Sequence, residues 1–102
     1  MKDRLEYFAH LVVDDPTVAR ARFAYANELL HAERWQEAVV QLRAYLDLAE
    51  DEGNAWGRLA EALTALGRVD EAADAYLTGI DQSLKHGHTG MAGDFEEAIA
   101  QL

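Results

Sequence analysis

Apolar residues recur along this chain at intervals of three or four positions, which is the period of an amphipathic helix. The first such stripe consists of Leu5, Phe8, Ala9 and Val12, at i, i+3, i+4 and i+7 spacing. Alanine, leucine and glutamate, all strong helix formers, dominate the sequence, and no strand pattern appears. The pattern predicts an all-α fold of about six helices.

Turn signals divide the chain into these helices. Asp15-Pro16 predicts a helix start, with Asp15 as N-cap and Pro16 at the first helical position. Asn54 predicts a second N-cap, and Gly67 predicts a helix end. The predicted helices cover roughly residues 3–13, 16–31, 35–48, 54–67, 69–85 and 89–102.

Two stretches of the chain resemble each other at an offset of 34 residues. The first set is Tyr25, Ala26, Leu29, Glu37, Ala38, Leu42 and Leu46, and it recurs as Leu59, Ala60, Leu63, Glu71, Ala72, Tyr76 and Ile80. Phe8 and Val12 precede Leu42 and Leu46 by the same interval. Self-similarity at this period predicts a stack of helix pairs, an architecture that builds extended binding surfaces.

These residues resemble the tetratricopeptide-repeat (TPR) family, in particular small bacterial-type two-repeat proteins. The family pattern is W-x₂-L-G-x₂-Y, then A-x₃-F, then P. Its matches in the second repeat are Trp56, Leu59, Ala60, Ala72 and Tyr76, with Leu63 at the first aromatic position. In the first repeat, Arg22 replaces the tryptophan and Glu50 replaces the proline.

The resemblance covers about residues 1–86 and implies a right-handed stack of antiparallel helix pairs, a TPR-like α-solenoid. The implied organisation is a single domain built from four parts. These are a half repeat (1–16), repeat one (17–50), repeat two (51–86) and a C-terminal capping helix (89–102).

The resemblance also implies a non-catalytic module that binds a peptide or partner helix in a concave groove. The family's groove positions fall on Arg20, Phe23, Asn27, Leu30 and His31, and on Asn54, Gly57, Arg58, Glu61 and Thr64. The predicted peptide-binding residues are Arg20, Phe23, Asn27, Leu30, Asn54, Arg58 and Glu61. Arginine grips a carboxylate, asparagine pairs with a backbone amide and phenylalanine anchors. The alternative is a solvated helix face, with Phe23 covered by the N-terminal helix.

Some family members bind chaperone C-termini through a clamp of lysine and asparagine. Here Asn27 occupies one clamp asparagine position. Phe23 stands where the lysine is expected, and Arg58 stands where the next asparagine is expected. The incomplete clamp argues against chaperone tails as the ligand.

Composition narrows the class of partner. The chain has 102 residues and a formal net charge of −10, and its nine basic residues are scattered. This charge disfavours nucleic acid and leaves a protein or peptide as the expected partner. The apolar runs are too short for a membrane span, and the acidic N-terminus does not look like a signal peptide. The absence of cysteine excludes disulfides and fits a cytoplasmic location.

Candidate chemistry is sparse. His86 and His88, with Asp94 beyond them, could suggest a metal site, but two histidines in a turn lack a full ligand set. The interpretation we prefer is that they are exposed turn residues. Runs of carboxylates lie at predicted surface turns, and Ser83 lies in no nucleophile motif. The sequence therefore predicts no enzyme activity, no cofactor and no metal.

The N-terminal half repeat suggests a second function. No helix of the repeat pattern precedes it, so Phe8, Leu11, Phe23 and Leu30 are candidates for partial exposure. An exposed apolar patch usually marks an interaction site. The alternative to heterologous binding is thus a homo-oligomerisation module, with a homodimer across this edge.

Overall fold

The computed structural model describes residues 3–102. These residues form six α-helices and no strand. In chain order the helices are α1 (Arg4–Asp14), α2 (Ala19–His31), α3 (Trp35–Leu48), α4 (Asn54–Ala65), α5 (Val69–Lys85) and α6 (Thr89–Ala100). The chain is divided into two compact units. The first ends at Glu50, and the second runs from Asp51 to Leu102.

The first unit contains α1, α2 and α3, and α2 packs against both of its neighbours. The Asp3 carboxylate caps α1 by accepting a hydrogen bond from the Leu5 N–H at 2.9 Å. The buried core residues of the first unit are Val12, Ala26, Leu29, Ala38, Val39 and Leu42. Several of them repeat at the 34-residue offset, which confirms that the period marks core positions.

The predicted start of the second helix is wrong. The Asp15 carboxylate accepts hydrogen bonds from the Thr17 N–H at 3.0 Å and the Thr17 hydroxyl at 2.6 Å. Both bonds lower the pKa of Asp15. They hold the chain in a turn that competes with helix formation, so α2 begins only at Ala19, and Val18 precedes it without a side-chain cap.

The second unit contains α4, α5 and α6, and α5 packs against both other helices. Its buried side chains include Leu59, Leu63, Ala72, Ala75, Tyr76 and Ala92.

Asn54 does not cap α4, contrary to the sequence-based expectation. It is the first helical residue, and the Asp51 carboxylate accepts hydrogen bonds from the Gly53 N–H at 2.9 Å and the Ala55 N–H at 2.8 Å. Asp51 therefore satisfies the free N–H group of Ala55 in the first turn of α4.

Three helices end in the same turn. In α2 the Arg34 N–H donates to the Leu29 carbonyl at 2.9 Å, and the Glu33 N–H donates to the Leu30 carbonyl at 3.0 Å. The ends of α4 and α5 repeat this pair of bonds, which defines a Schellman motif. Its left-handed position is occupied by Glu33, Gly67 and Gly87. Such turns make the short connections between antiparallel helices.

Candidate protein-interaction surfaces

One side of α2 carries Arg20, Phe23, Asn27 and Leu30, because spacings of three, four and three residues return to the same side of a helix. Arg20 is exposed and the other three are half-buried. Ala26 and Leu29, which lie on another side of the helix, are fully buried. We call the first side the α2 face.

The α2 face is held in place by α3. The Phe23 ring lies against the Tyr45 ring with a centroid distance of 4.9 Å and an angle of 36°. Phe23 is therefore anchored by an aromatic contact on α3 and remains half-buried.

Asn27 has an unusual environment within the α2 face. Its side-chain oxygen, Oδ1, is buried and accepts no hydrogen bond from the residues that the structure describes. A buried acceptor without a donor costs about 1–3 kcal/mol. Such a group needs a physical explanation, and a ligand N–H group would satisfy it.

His31, also predicted to line the groove, is exposed at the end of α2. Its Nδ1 lies 3.8 Å from a Glu28 carboxylate oxygen, and the other oxygen of that carboxylate is 2.6 Å from Arg4 Nε. Arg4 also lies over the Phe8 ring, at 5.6 Å from its centroid. The ion pair between Arg4 and Glu28 fastens α1 to α2.

One side of α4 carries Asn54, Arg58 and Glu61, which we call the α4 face. Asn54 and Glu61 are exposed and Arg58 is half-buried. Arg58 Nε donates to Asn54 Oδ1 at 3.2 Å. Burial raises the pKa of Tyr76, and the negative charge of Glu61 raises it further. Thr64 is exposed at the end of the same side, and its hydroxyl donates to the Ala60 carbonyl at 2.7 Å.

Gly57 is not an open groove position, contrary to the expectation from the family. It is buried, and a Cβ atom built there would lie 2.6 Å from two atoms of the Phe95 ring of α6. The same ring lies close to Gly79 of α5, where a Cβ atom would be 2.9 Å away. The Phe95 and Tyr76 ring centroids are 5.6 Å apart.

The role of Phe95 was missed in the sequence because α6 does not follow the repeat. A signal was nevertheless present: Gly57 and Gly79 lie inside helices, where glycine costs about 1 kcal/mol relative to alanine. Two such glycines indicate that a bulky group approaches the backbone. Phe95 is the group that covers both.

The histidine turn after α5 is more structured than the sequence indicates. His88 is half-buried, and its Nε2 lies 2.6 Å from Glu52 Oε1. This hydrogen bond, together with the nearby His86, lowers the pKa of Glu52. Within residues 3–102 no group of three or more histidines and carboxylates is arranged to hold a metal ion.

The two faces lie in different units, the α2 face in the first and the α4 face in the second. Their convergence on one groove stays a prediction.

A protein-family model described as tetratricopeptide repeat matches residues 29–85, which is more than half of the chain. The chain belongs to the tetratricopeptide-repeat family. No curated protein matches the sequence of this TPR chain. The solution structure of protein BPP2914 from Bordetella parapertussis is similar, with a TM-score of 0.83 and 20% sequence identity over 99% of this chain and 88% of that chain. At this identity the likeness shows the fold alone.

Family membership has a general functional meaning, because TPR repeats are generally protein-interaction modules. Among residues 3–102, no helix has both the length and the apolar composition that crossing a membrane requires.

Proposed function

We propose that this TPR protein is a non-catalytic interaction module that binds a protein or peptide through its α2 face and its α4 face. The observation that carries the proposal is Asn27 on the α2 face, whose side chain is half-buried and whose Oδ1 has no hydrogen-bond donor among residues 3–102. A peptide backbone N–H is the donor that an extended ligand, or the first turn of a helical ligand, would bring to it.

The surroundings of Asn27 support this assignment. Phe23 is already fixed against Tyr45, so little side-chain entropy is lost when a ligand packs on its ring. Leu30 adds a half-buried apolar surface on the same side, and exposed Arg20 can pair with a carboxylate. This combination of an aromatic anchor, an amide and an arginine suits a peptide.

The α4 face is more polar than the α2 face. Arg58 and Glu61 carry opposite charges one turn apart, and Asn54 orients the Arg58 guanidinium through its side-chain oxygen. Such a surface discriminates among partners by charge more than it contributes binding energy. A cytoplasmic location belongs to the same proposal and is tested by cell fractionation.

The test begins with a partner captured by affinity pull-down from the native cell and identified. Its affinity is then measured for Asn27→Leu, Phe23→Ala and Arg58→Ala, with Val40→Ala as the control. Val40 is 53% exposed on α3 and belongs to neither face. We expect Asn27→Leu and Phe23→Ala to weaken binding at least about tenfold, corresponding to 1.4 kcal/mol.

Arg58→Ala should lower the association rate more than it raises the dissociation rate. Thermal melts of all four variants separate lost binding from lost folding. Full affinity in both α2-face variants would place the binding site elsewhere and reject the proposal.

A second candidate is homodimerisation through α1. Tyr7 and Val13 are large apolar side chains on this helix, and they are 59% and 79% exposed. The residues expected at this edge, Phe8, Leu11, Phe23 and Leu30, are each half-buried. These exposed apolar side chains on α1 are the observation that favours self-association.

A further inference from the structure

Helix α5 carries an apolar stripe outside the core. Its buried side consists of Ala72, Ala75, Tyr76, Gly79 and Ser83. About a quarter turn away lie Ala73, Leu77, Ile80 and Leu84, spaced by four, three and four residues. Leu77 and Leu84 are 53% and 52% exposed. This spacing is that of the a and d positions of a coiled coil, whose side chains pack against a neighbouring helix.

The repeat does not explain the two exposed leucines. The positions 34 residues before Leu77 and Leu84 hold Arg43 and Glu50, which are polar. A core position, in contrast, holds the same residue in both repeats. Ala72 corresponds to Ala38, and both are fully buried. The apolar stripe is therefore a feature of α5 and not a requirement of stacking.

An acidic row runs beside the stripe. Asp70, Asp74 and Asp81 are exposed and lie on one side of α5, next to Leu77. Their carboxylates form no ion pair with any cation among residues 3–102. The only basic residue of α5 is Lys85, in its last turn. We call the stripe and this row together the outer α5 face.

We propose that the outer α5 face binds a basic amphipathic helix of a partner protein, packed side by side with α5. The heptad spacing of the stripe supplies the seam, and the unpaired aspartates supply the charge that a row of lysines or arginines complements. At a rise of 1.5 Å per residue, the 12 residues from Ala73 to Leu84 extend over roughly 18 Å, enough for about three turns of contact.

A second copy of the chain fits this surface less well than a basic helix does. It would bring a further net charge of −10 to a face that already carries unpaired carboxylates. Like charges at an interface suppress association. The outer α5 face shares no residue with the α2 and α4 faces, so this proposal stands independently of the function proposed above.

The test uses three synthetic peptides of about 18 residues, which is the length that matches α5. The first has leucine at heptad positions a and d and lysine elsewhere. The second has the same composition in a scrambled order without an apolar stripe. The third is the first with glutamate in place of lysine. Affinities are measured by calorimetry at low and high salt. Changes in the NMR chemical shifts of the backbone amides locate the binding site.

We expect the Leu/Lys helix to bind at least about tenfold more tightly than either other peptide and to shift the amides of α5. The double variant Leu77→Glu/Leu84→Glu should remove this preference, whereas Val40→Glu should keep it. Val40 is a matched control because its exposed fraction, 53%, equals that of Leu77. The triple variant Asp70→Asn/Asp74→Asn/Asp81→Asn should weaken binding and flatten its salt dependence.

Three results would overturn the proposal. Equal binding of the scrambled peptide would mean that only bulk charge attracts it. Unchanged binding to Leu77→Glu/Leu84→Glu would place the helix on another face. Self-association of the wild-type chain that this double variant abolishes would make a second copy the occupant.

Discussion

At the scale of single residues, Glu33 has a backbone conformation that is unusual for its type. Its φ is 56°, the one positive value for a non-glycine among the described residues. The equivalent turn positions after α4 and α5 hold glycine. An L-residue in this region costs about 1–2 kcal/mol because its Cβ approaches the following carbonyl.

We expect Glu33→Gly to stabilise the protein by about 0.5–1 kcal/mol, because relief of this strain outweighs the greater unfolded-state entropy of glycine. The reverse change, Gly67→Ala, should destabilise by about 1 kcal/mol. A Cβ atom at Gly67 meets nothing within 4 Å, so that cost comes from the backbone alone. Urea unfolding measures both changes in the free energy of unfolding. If Glu33→Gly were destabilising, the Glu33 side chain would contribute more to stability than its backbone strain costs.

The lowered pKa of Glu52 makes the stability of the protein depend on pH. Its pKa is lowered first by the His88 hydrogen bond and then by His86. A carboxyl whose pKa is lowered by folding stabilises the protein at pH values above its pKa in the unfolded chain. This contribution is lost as the pH falls through the pKa of the folded state. In carboxyl-carbon NMR titrations, His88→Gln should raise the Glu52 midpoint more than His86→Gln does. An unchanged midpoint in His88→Gln would mean that the contact is absent in solution.

At the level of helices, the ring of Phe95 packs α6 against both α4 and α5. Phe95 covers the Cα atoms of Gly57 and Gly79 and contacts Tyr76. The three atoms nearest to a Cβ atom built at Gly57 all belong to the Phe95 ring. The effect of alanine at this position should therefore depend on whether the ring is present.

Gly57→Ala should destabilise the wild-type protein by about 1–3 kcal/mol through overpacking. In a Phe95→Ala background the same change should stabilise by up to about 1 kcal/mol, because alanine is the better helix former. Phe95→Ala alone should cost about 2–4 kcal/mol, reduced from a fully buried value by its partial exposure. Glu96→Ala is the neutral control, and additive effects in the double-mutant cycle would contradict this packing.

The register of the repeat makes a further prediction for α5. Ala72 is fully buried, as is its counterpart Ala38. Replacing Ala72 with leucine should destabilise by about 1–3 kcal/mol, because no space exists for three more carbon atoms. Ala65→Leu, at an exposed position of α4, should melt close to wild type. Equal melting temperatures for the two variants would show that the assigned register is wrong.

The helices were predictable from the sequence because each is long enough to show a clear apolar period, and α3 and α5 match their expected bounds. The capping residues of α2 and α4 were not predictable. Asp15 and Asn54 are both good N-cap residues. However, the Asp15 carboxylate is hydrogen-bonded to Thr17, and Asp51 rather than Asn54 accepts a hydrogen bond from the first turn of α4. Cap choice depends on which side chain reaches a free N–H, and a single sequence does not show this. The predicted α2-face and α4-face residues rest on the family and stay a prediction.

At the scale of the whole molecule, self-association is open to a direct test. If α1 forms a homodimer, sedimentation equilibrium at tens of micromolar should show a dimer mass that Tyr7→Glu abolishes. Tyr7 is 59% exposed, so this change should leave the fold intact, and Val40→Glu on α3 should leave the dimer intact. High salt should favour the dimer, because it screens the repulsion between two chains of net charge −10. A monomer at every concentration would reject this candidate.

Within each unit, the extensive contacts join helices that follow one another along the chain. This feature governs how fast the native state is reached. Contacts between sequence neighbours require only short loops to close, so the entropic barrier to forming them is low. We expect the main phase of stopped-flow refolding to finish within milliseconds. Replacing Pro16, the single proline, with alanine should remove any phase that lasts tens of seconds, because only prolyl isomerisation is that slow in a chain of this kind.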